Sequence, residues 1–143
     1  MRAPRRRVLG VLSDAFFYGY TGLCVAAGAT GAVFARTDVA LISGFDPRKE
    51  LEERCAATML SQHRFLRALE MGFGILSLHE RDRIHTDVLT NRLFLSLMAC
   101  GIAARAVGRA IDGRPRANAY AFGGAELVGL MLIFAHTRST LRR

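Results

Sequence analysis

Lysine is almost missing from this chain. Of its 20 basic residues nineteen are arginine, and Lys49 is the exception. A bias this strong fits a GC-rich genome. The formal net charge of +8 would suit a nucleic-acid partner. However, the basic residues are scattered over termini and loops, and no basic helix face alternates with aromatics. Tryptophan is absent, and none of the nine phenylalanines or three tyrosines is placed for base stacking. These absences exclude nucleic acid. Basic ends beside apolar blocks fit anionic lipid headgroups instead. Cysteine is scarce too. Cys24, Cys55 and Cys100 show no CxxC spacing and no histidine at metal-ligand distance in the chain, which excludes a disulfide framework and a cysteine metal centre. Only Cys55 lies in a polar segment.

The usual marks of chemistry are missing as well. There is no HExxH or related metal pattern, no nucleophile elbow around Ser13, Ser77 or Ser96, and no phosphate-binding glycine loop. No catalytic residue, metal ligand or cofactor is assigned, and the sequence leans against an enzyme. Strand patterns of any length are absent, so the fold class is all-α.

What the chain has in plenty is apolar sequence gathered into four blocks, which predict membrane-spanning helices at about 12–35, 59–79, 88–111 and 117–137. Residues 15–35 carry no charge, and residues 117–137 carry one, Glu126; each stretch is 21 residues long. Gly22, Gly28 and Gly31 give the first block a thin surface, and Gly22-xxx-Ala26 and Ala27-xxx-Gly31-xxx-Ala35 are small-xxx-small pairs that let helices approach closely in lipid. Gly72, Gly74 and Gly101 are further helix-packing positions. Asp14 reads as an interfacial residue, His79, His85 and His136 as headgroup contacts, and Tyr18, Tyr20 and Tyr120 as an interfacial belt.

Between the blocks, residues 36–58 read as a polar connection with a short charged surface helix over 48–54. Residues 80–87 read as a charged loop. Asp112-Gly113-Arg114-Pro115 ends the third helix, since glycine permits a left-handed cap and proline cannot continue the helix. Four spans put both termini on one side. That side holds nine basic residues against six on the other, a bias toward cytoplasmic termini in a bacterial inner membrane. Arg5-Arg6-Arg7-Val8-Leu9 also resembles a twin-arginine export pattern ending near Val33-Phe34-Ala35, so a cleaved leader stays open.

The charges inside the blocks decide the most. Arg67, Glu70, Arg105 and Glu126 would together cost roughly 10–14 kcal/mol if each faced lipid as a charge. Pairing inside a bundle is the physical expectation. Arg105 lies as far before the 113–118 turn as Glu126 lies after it, so a helical hairpin places the two at one depth. His63, Arg67 and Glu70 share one helical face, which must point into a bundle or toward the interface. The cluster Arg64, Arg67, Glu70, Arg105 and Glu126 is either a set of register-fixing pairs or a pocket for a polar or anionic headgroup, a quinone-like molecule or a proton.

Over residues 46–137 the chain resembles the bacterial membrane family called domain of unknown function 4345. The resemblance rests on Arg64-Phe65-Leu66 before Gly72-Phe73-Gly74, on Gly101-Ile102-Ala103-Ala104-Arg105 before Pro115, and on Glu126-Leu127-Val128-Gly129. It implies a small four-helix membrane protein with no assigned activity, and carries over Arg64, Arg105 and Glu126 as polar positions. Arg67 and Glu70 depart from the small or apolar residues expected there.

The expected architecture is therefore an antiparallel, up-down-up-down four-helix transmembrane bundle with a short surface helix in the first loop. The first functional reading is a non-enzymatic accessory or scaffold subunit, with the lipid bilayer and a larger membrane complex or a homo-oligomer as partners. The alternative is a lipid- or small-molecule-binding protein, a transporter or an enzyme on a lipid-soluble substrate, that uses an Arg/Glu pocket. A soluble helical bundle is the third reading.

Overall fold

The structure, a computed structural model, describes residues 3–141. Met1, Arg2, Arg142 and Arg143, three of them counted in the orientation tally, lie outside the described residues. Seven helices and no strand are found among the described residues: α1 (Ala3–Val33), α2 (Ala35–Ser43), α3 (Pro47–Glu50), α4 (Glu53–His79), α5 (Arg81–Thr86), α6 (Val88–Asp112) and α7 (Ala117–Leu141). They fall into two compact units, Tyr20–His79 and Met1–Gly19 with Glu80–Arg143. The continuous α1 contributes to both. Its buried positions Ser13, Phe17, Thr21, Cys24, Gly28 and Gly31 recur every three or four residues and so form one stripe.

In the Tyr20–His79 unit, α1 meets α4 through glycine. A Cβ on Gly28 would lie 2.5 Å from the Met71 backbone nitrogen, and one on Gly74 would lie 2.7 Å from the Thr21 carbonyl oxygen. Only hydrogen fits at such a separation. The expected polar connection over 36–58 is instead mostly helical. Phe34 breaks the rod with φ −103° and ψ 43°, and α2 restarts at once. Gly44, in the left-handed region at φ 68°, ends α2. The surface helix expected over 48–54 is shorter, a single turn over Pro47–Glu50. Asp46 caps it through the Arg48 N–H, Glu50 reaches back to the Asp46 N–H at 2.9 Å, and Leu51 then turns extended, which prevents continuation. Ala35, Val39 and Leu60 pack together with Phe45 to hold α2 against α4.

In the other unit, the expected 80–87 loop contains the short helix α5. The Asp87 carboxylate then accepts from the Thr90 N–H at 2.7 Å and caps α6. Asn91 donates to the Ile84 carbonyl at 2.8 Å, and Thr137 donates to Ile133 at 2.8 Å. These bonds satisfy polar groups that would otherwise be buried without partners. The α6–α7 turn opens at Gly113, with φ 94° and ψ −156°, rather than in the left-handed cap expected from sequence. Only glycine adopts that backbone readily.

The chain's surface inverts the pattern of a water-soluble domain. Leu66, Leu89, Leu93, Ile111, Val128 and Met131 are exposed, while Ser13, Thr21, Ser77, Asn91 and Thr137 are buried. A water-soluble monomer rarely leaves so many large apolar side chains exposed. Three helical stretches, Arg7–Val33, Val88–Asp112 and Ala117–Arg138, are long and apolar enough to cross a membrane. α4 is long enough, but Arg64, Arg67 and Glu70 lower its apolar content. Since α1 begins by Ala3, Tyr18 and Tyr20 fall in mid-helix and not at its end.

Candidate functional site

The polar residues singled out from sequence separate into two places. In the first, on the α6–α7 hairpin, Arg105 Nε donates to Glu126 Oε2 at 2.9 Å and Arg105 Nη2 donates to Glu126 Oε1 at 3.1 Å. Such two-point pairing fixes helix register as well as neutralising charge. Glu126 is the better buried partner, with 16% of its side chain exposed against 48% for Arg105. One turn toward the loop, Arg109 donates to the Tyr120 hydroxyl, and its guanidinium lies over the Tyr120 ring.

A half-open cavity of about 600 Å³ runs beside these residues to the loop. Arg105, Arg109 and Arg114 supply its cationic wall against the single acid Asp112, while Ile102 and Leu127 supply apolar wall. Gly123 and Gly124 line it too, and their missing side chains leave the width. Arg114 is exposed and pairs with none of the described residues. Arg109, Arg114 and Tyr120 were not among the site residues expected from sequence. Their signal was arginines at 105, 109 and 114 facing the Gly123-Gly124 pair across the turn.

The second place lies within the Tyr20–His79 unit. Arg67 Nε and His63 Nε2 both bond Asp38 Oδ2 at 2.7 Å, and Arg67 Nη1 donates to Glu70. The carboxylate only accepts, so His63 Nε2 carries the hydrogen. Gly31 makes room for the group: a Cβ there would lie 2.7 Å from both Arg67 Nε and Asp38 Oδ2. Sequence reasoning missed Asp38 because α2 was taken for connection. Burial alone would raise its carboxyl, but the hydrogen bonds from Arg67 and then His63 hold it below the ordinary aspartate value of 3.8.

A depressed carboxylate stabilises the fold above its unfolded value, and that stability is lost as pH falls through the folded value. Thermal melts taken below about pH 4 should therefore show a drop that the Asp38→Asn protein lacks. Equal pH dependence of the two proteins would show that Asp38 does not bind the cluster together.

Arg64 joins neither place. It is exposed and has no ion pair among the described residues. Of the expected packing glycines, Gly28, Gly31 and Gly74 make close approaches, whereas a Cβ on Gly22, Gly72 or Gly101 would meet nothing within 4 Å. Among the described residues no group of three His, Cys, Asp or Glu side chains could hold a metal ion.

An all-α chain with three spanning-grade helices, apolar side chains turned outward and charged partners joined across a helical hairpin is an integral membrane protein. It belongs to the family described as domain of unknown function (DUF4345), whose profile matches residues 7–136. Comparison with curated proteins and with solved structures gives no match.

Proposed function

We propose that this protein binds an amphiphilic, anionic-headed molecule drawn from the membrane, with the α6–α7 cavity as the site. The observation that carries this reading is the joining of three arginines to apolar wall at the loop end of two spanning-grade helices. The cavity volume suits a headgroup with the first carbons of a chain. Arg114 and Arg109 face the head, and Ile102 and Leu127 face the tail. The Arg105–Glu126 pair sets the register that keeps the cavity open. Four helices, α1, α4, α6 and α7, cross a bacterial inner membrane in alternate directions with both termini cytoplasmic. α4 crosses because the partners around Asp38 neutralise its polar face.

The test is retention of lipid. The protein is purified from bilayers of phosphatidylcholine with a minor share of phosphatidylglycerol, and bound lipid is counted by native mass spectrometry. Phosphatidylglycerol should be enriched over its bilayer share. Arg109→Gln with Arg114→Gln should lower that enrichment roughly tenfold or more, at about 1 kcal/mol per basic residue. Retention of both lipids in bilayer proportion would remove the proposal.

A second reading, an accessory or scaffold subunit of a larger membrane complex, is favoured by the open space at Gly22, Gly72 and Gly101. Partner helices approach closely at such positions. Purification in mild detergent should then bring down a stoichiometric protein partner or a homo-oligomer, and a monodisperse monomer counts against it.

A further inference from the structure

A third polar grouping, used neither by the cavity nor by the Asp38 cluster, lies where the start of α1 meets α5 and α7. A Cβ on Gly10 would sit 3.2 Å from His136 Cε1, and the Phe17 ring meets the His85 ring edge-on with centroids 5.3 Å apart. Ser13 falls between Gly10 and Phe17 on the same face of α1 and is fully buried. The His85 and His136 rings are 6.2 Å apart. Asp14 Oδ1 lies 3.7 Å from Arg81 Nη2 and 3.7 Å from His85 Nε2, too far for direct hydrogen bonds. Ser13 Oγ, Arg81 Nε and His85 Nε2 are buried and make no hydrogen bond among the described residues. Native interiors seldom leave such atoms unmatched.

The histidine tautomer follows from its other nitrogen. His85 Nδ1 lies 2.9 Å from the Arg81 carbonyl oxygen, which only accepts, so Nδ1 carries the hydrogen. Nε2 of the neutral ring is then a bare lone pair facing the Asp14 carboxylate, a second acceptor. Two acceptors face one another favourably only with a hydrogen between them. It can sit on the ring or on a water that accepts from Arg81 Nε and donates to His85 Nε2 and Asp14.

We infer that His85 Nε2 is a proton-accepting site, supplied through a water held by Ser13, Asp14 and Arg81. The step is simple in its balance. An O–H bond of a hydronium breaks, the proton joins the Nε2 lone pair, neutral water remains, and the Asp14 carboxyl lies 3.7 Å from the new N–H nitrogen. Every neighbouring element bears on it. From α1 come the Asp14 carboxyl, 3.7 Å from Nε2, and Tyr18, whose ring lies against the Arg81 guanidinium. From α5 comes Arg81, whose Nη1 donates to Asp82 at 3.2 Å. From α7, His136 is a second titratable ring. From α6, apolar Phe94 packs on Phe17.

The proposal is tested on the full chain in phosphatidylcholine bilayers, with ¹⁵N-labelled histidine followed by nuclear magnetic resonance. The His85 signals are identified by their loss in His85→Gln or by sequential assignment. Neutral His85 should be the Nδ1–H tautomer, with magnetisation passing from water to Nε2. A neutral Nε2–H tautomer, or no transfer from water, would overturn the inference without any variant. On acidification Nε2 should gain a directly bonded hydrogen while Nδ1 keeps its own. An Nε2 that stays bare throughout would equally overturn it. The site shares no residue with the α6–α7 cavity, so failure of either proposal leaves the other standing.

Discussion

A single methyl group at Gly28 is expected to destabilise the protein by about 3 kcal/mol, the upper end of the range for overpacking. In Gly28→Ala the new Cβ would lie 2.5 Å from the Met71 nitrogen, 2.6 Å from the Arg67 carbonyl oxygen and 2.8 Å from Met71 Cα. All three are backbone atoms of α4, so no side chain can swing aside, and the two helices must separate. Gly22→Ala, on the same helix, is the control. Its Cβ meets nothing within 4 Å, so the protein should be unchanged or gain up to about 1 kcal/mol from helix propensity. Unfolding of both variants in detergent, followed by circular dichroism, decides the matter. Equal stability of the two variants would mean that α1 and α4 do not meet at this glycine.

Arg105→Ala should cost about 2–3 kcal/mol, because it leaves Glu126 buried and charged without its two-point partner. The cost falls short of that for a fully buried pair, since nearly half of the Arg105 side chain is open to the surroundings. The companion experiment is Arg105→Met with Glu126→Leu. Removing both charges together should recover most of the lost stability, as replacing ion pairs with apolar residues of similar size often does. Recovery of stability together with undiminished enrichment of anionic lipid would make the pair a register device alone. Recovered stability with lost enrichment would place Arg105 at the ligand. If the single variant is as stable as wild type, the pair does not support the hairpin at all.

The Arg105–Glu126 meeting was legible in the sequence because it needs only local information. A turn fixed by Gly113 and Pro115 folds two helices of known rise back on one another, and equal distances from the turn give equal depth. The polar face of α4 was legible for the same reason, as helical period alone sets it. Its partner was not: Asp38 stands 25 residues from His63 and 29 from Arg67, and it reaches them only because the chain restarts a helix directly after Phe34. Nothing in the polar composition of 36–58 announces that restart. The glycines divide likewise. Gly22 and Gly28 read alike in sequence, and which of them meets a backbone depends on the rotation of α1 against α4. The cavity is a product of register as well, since Gly123 and Gly124 widen it only where they face Arg105 and Arg109.

The length of α1 carries its own consequence. Its 31 residues extend about 46 Å at 1.5 Å per residue, against a hydrocarbon core of about 30 Å. A rod that long must lean over or rise out of the lipid, and the lean steepens wherever the bilayer is thin. Bilayer thickness thereby sets how deeply the Asp14 end of the rod is immersed. If His85 takes protons there as proposed, acyl-chain length is expected to alter its access to them with no ligand involved.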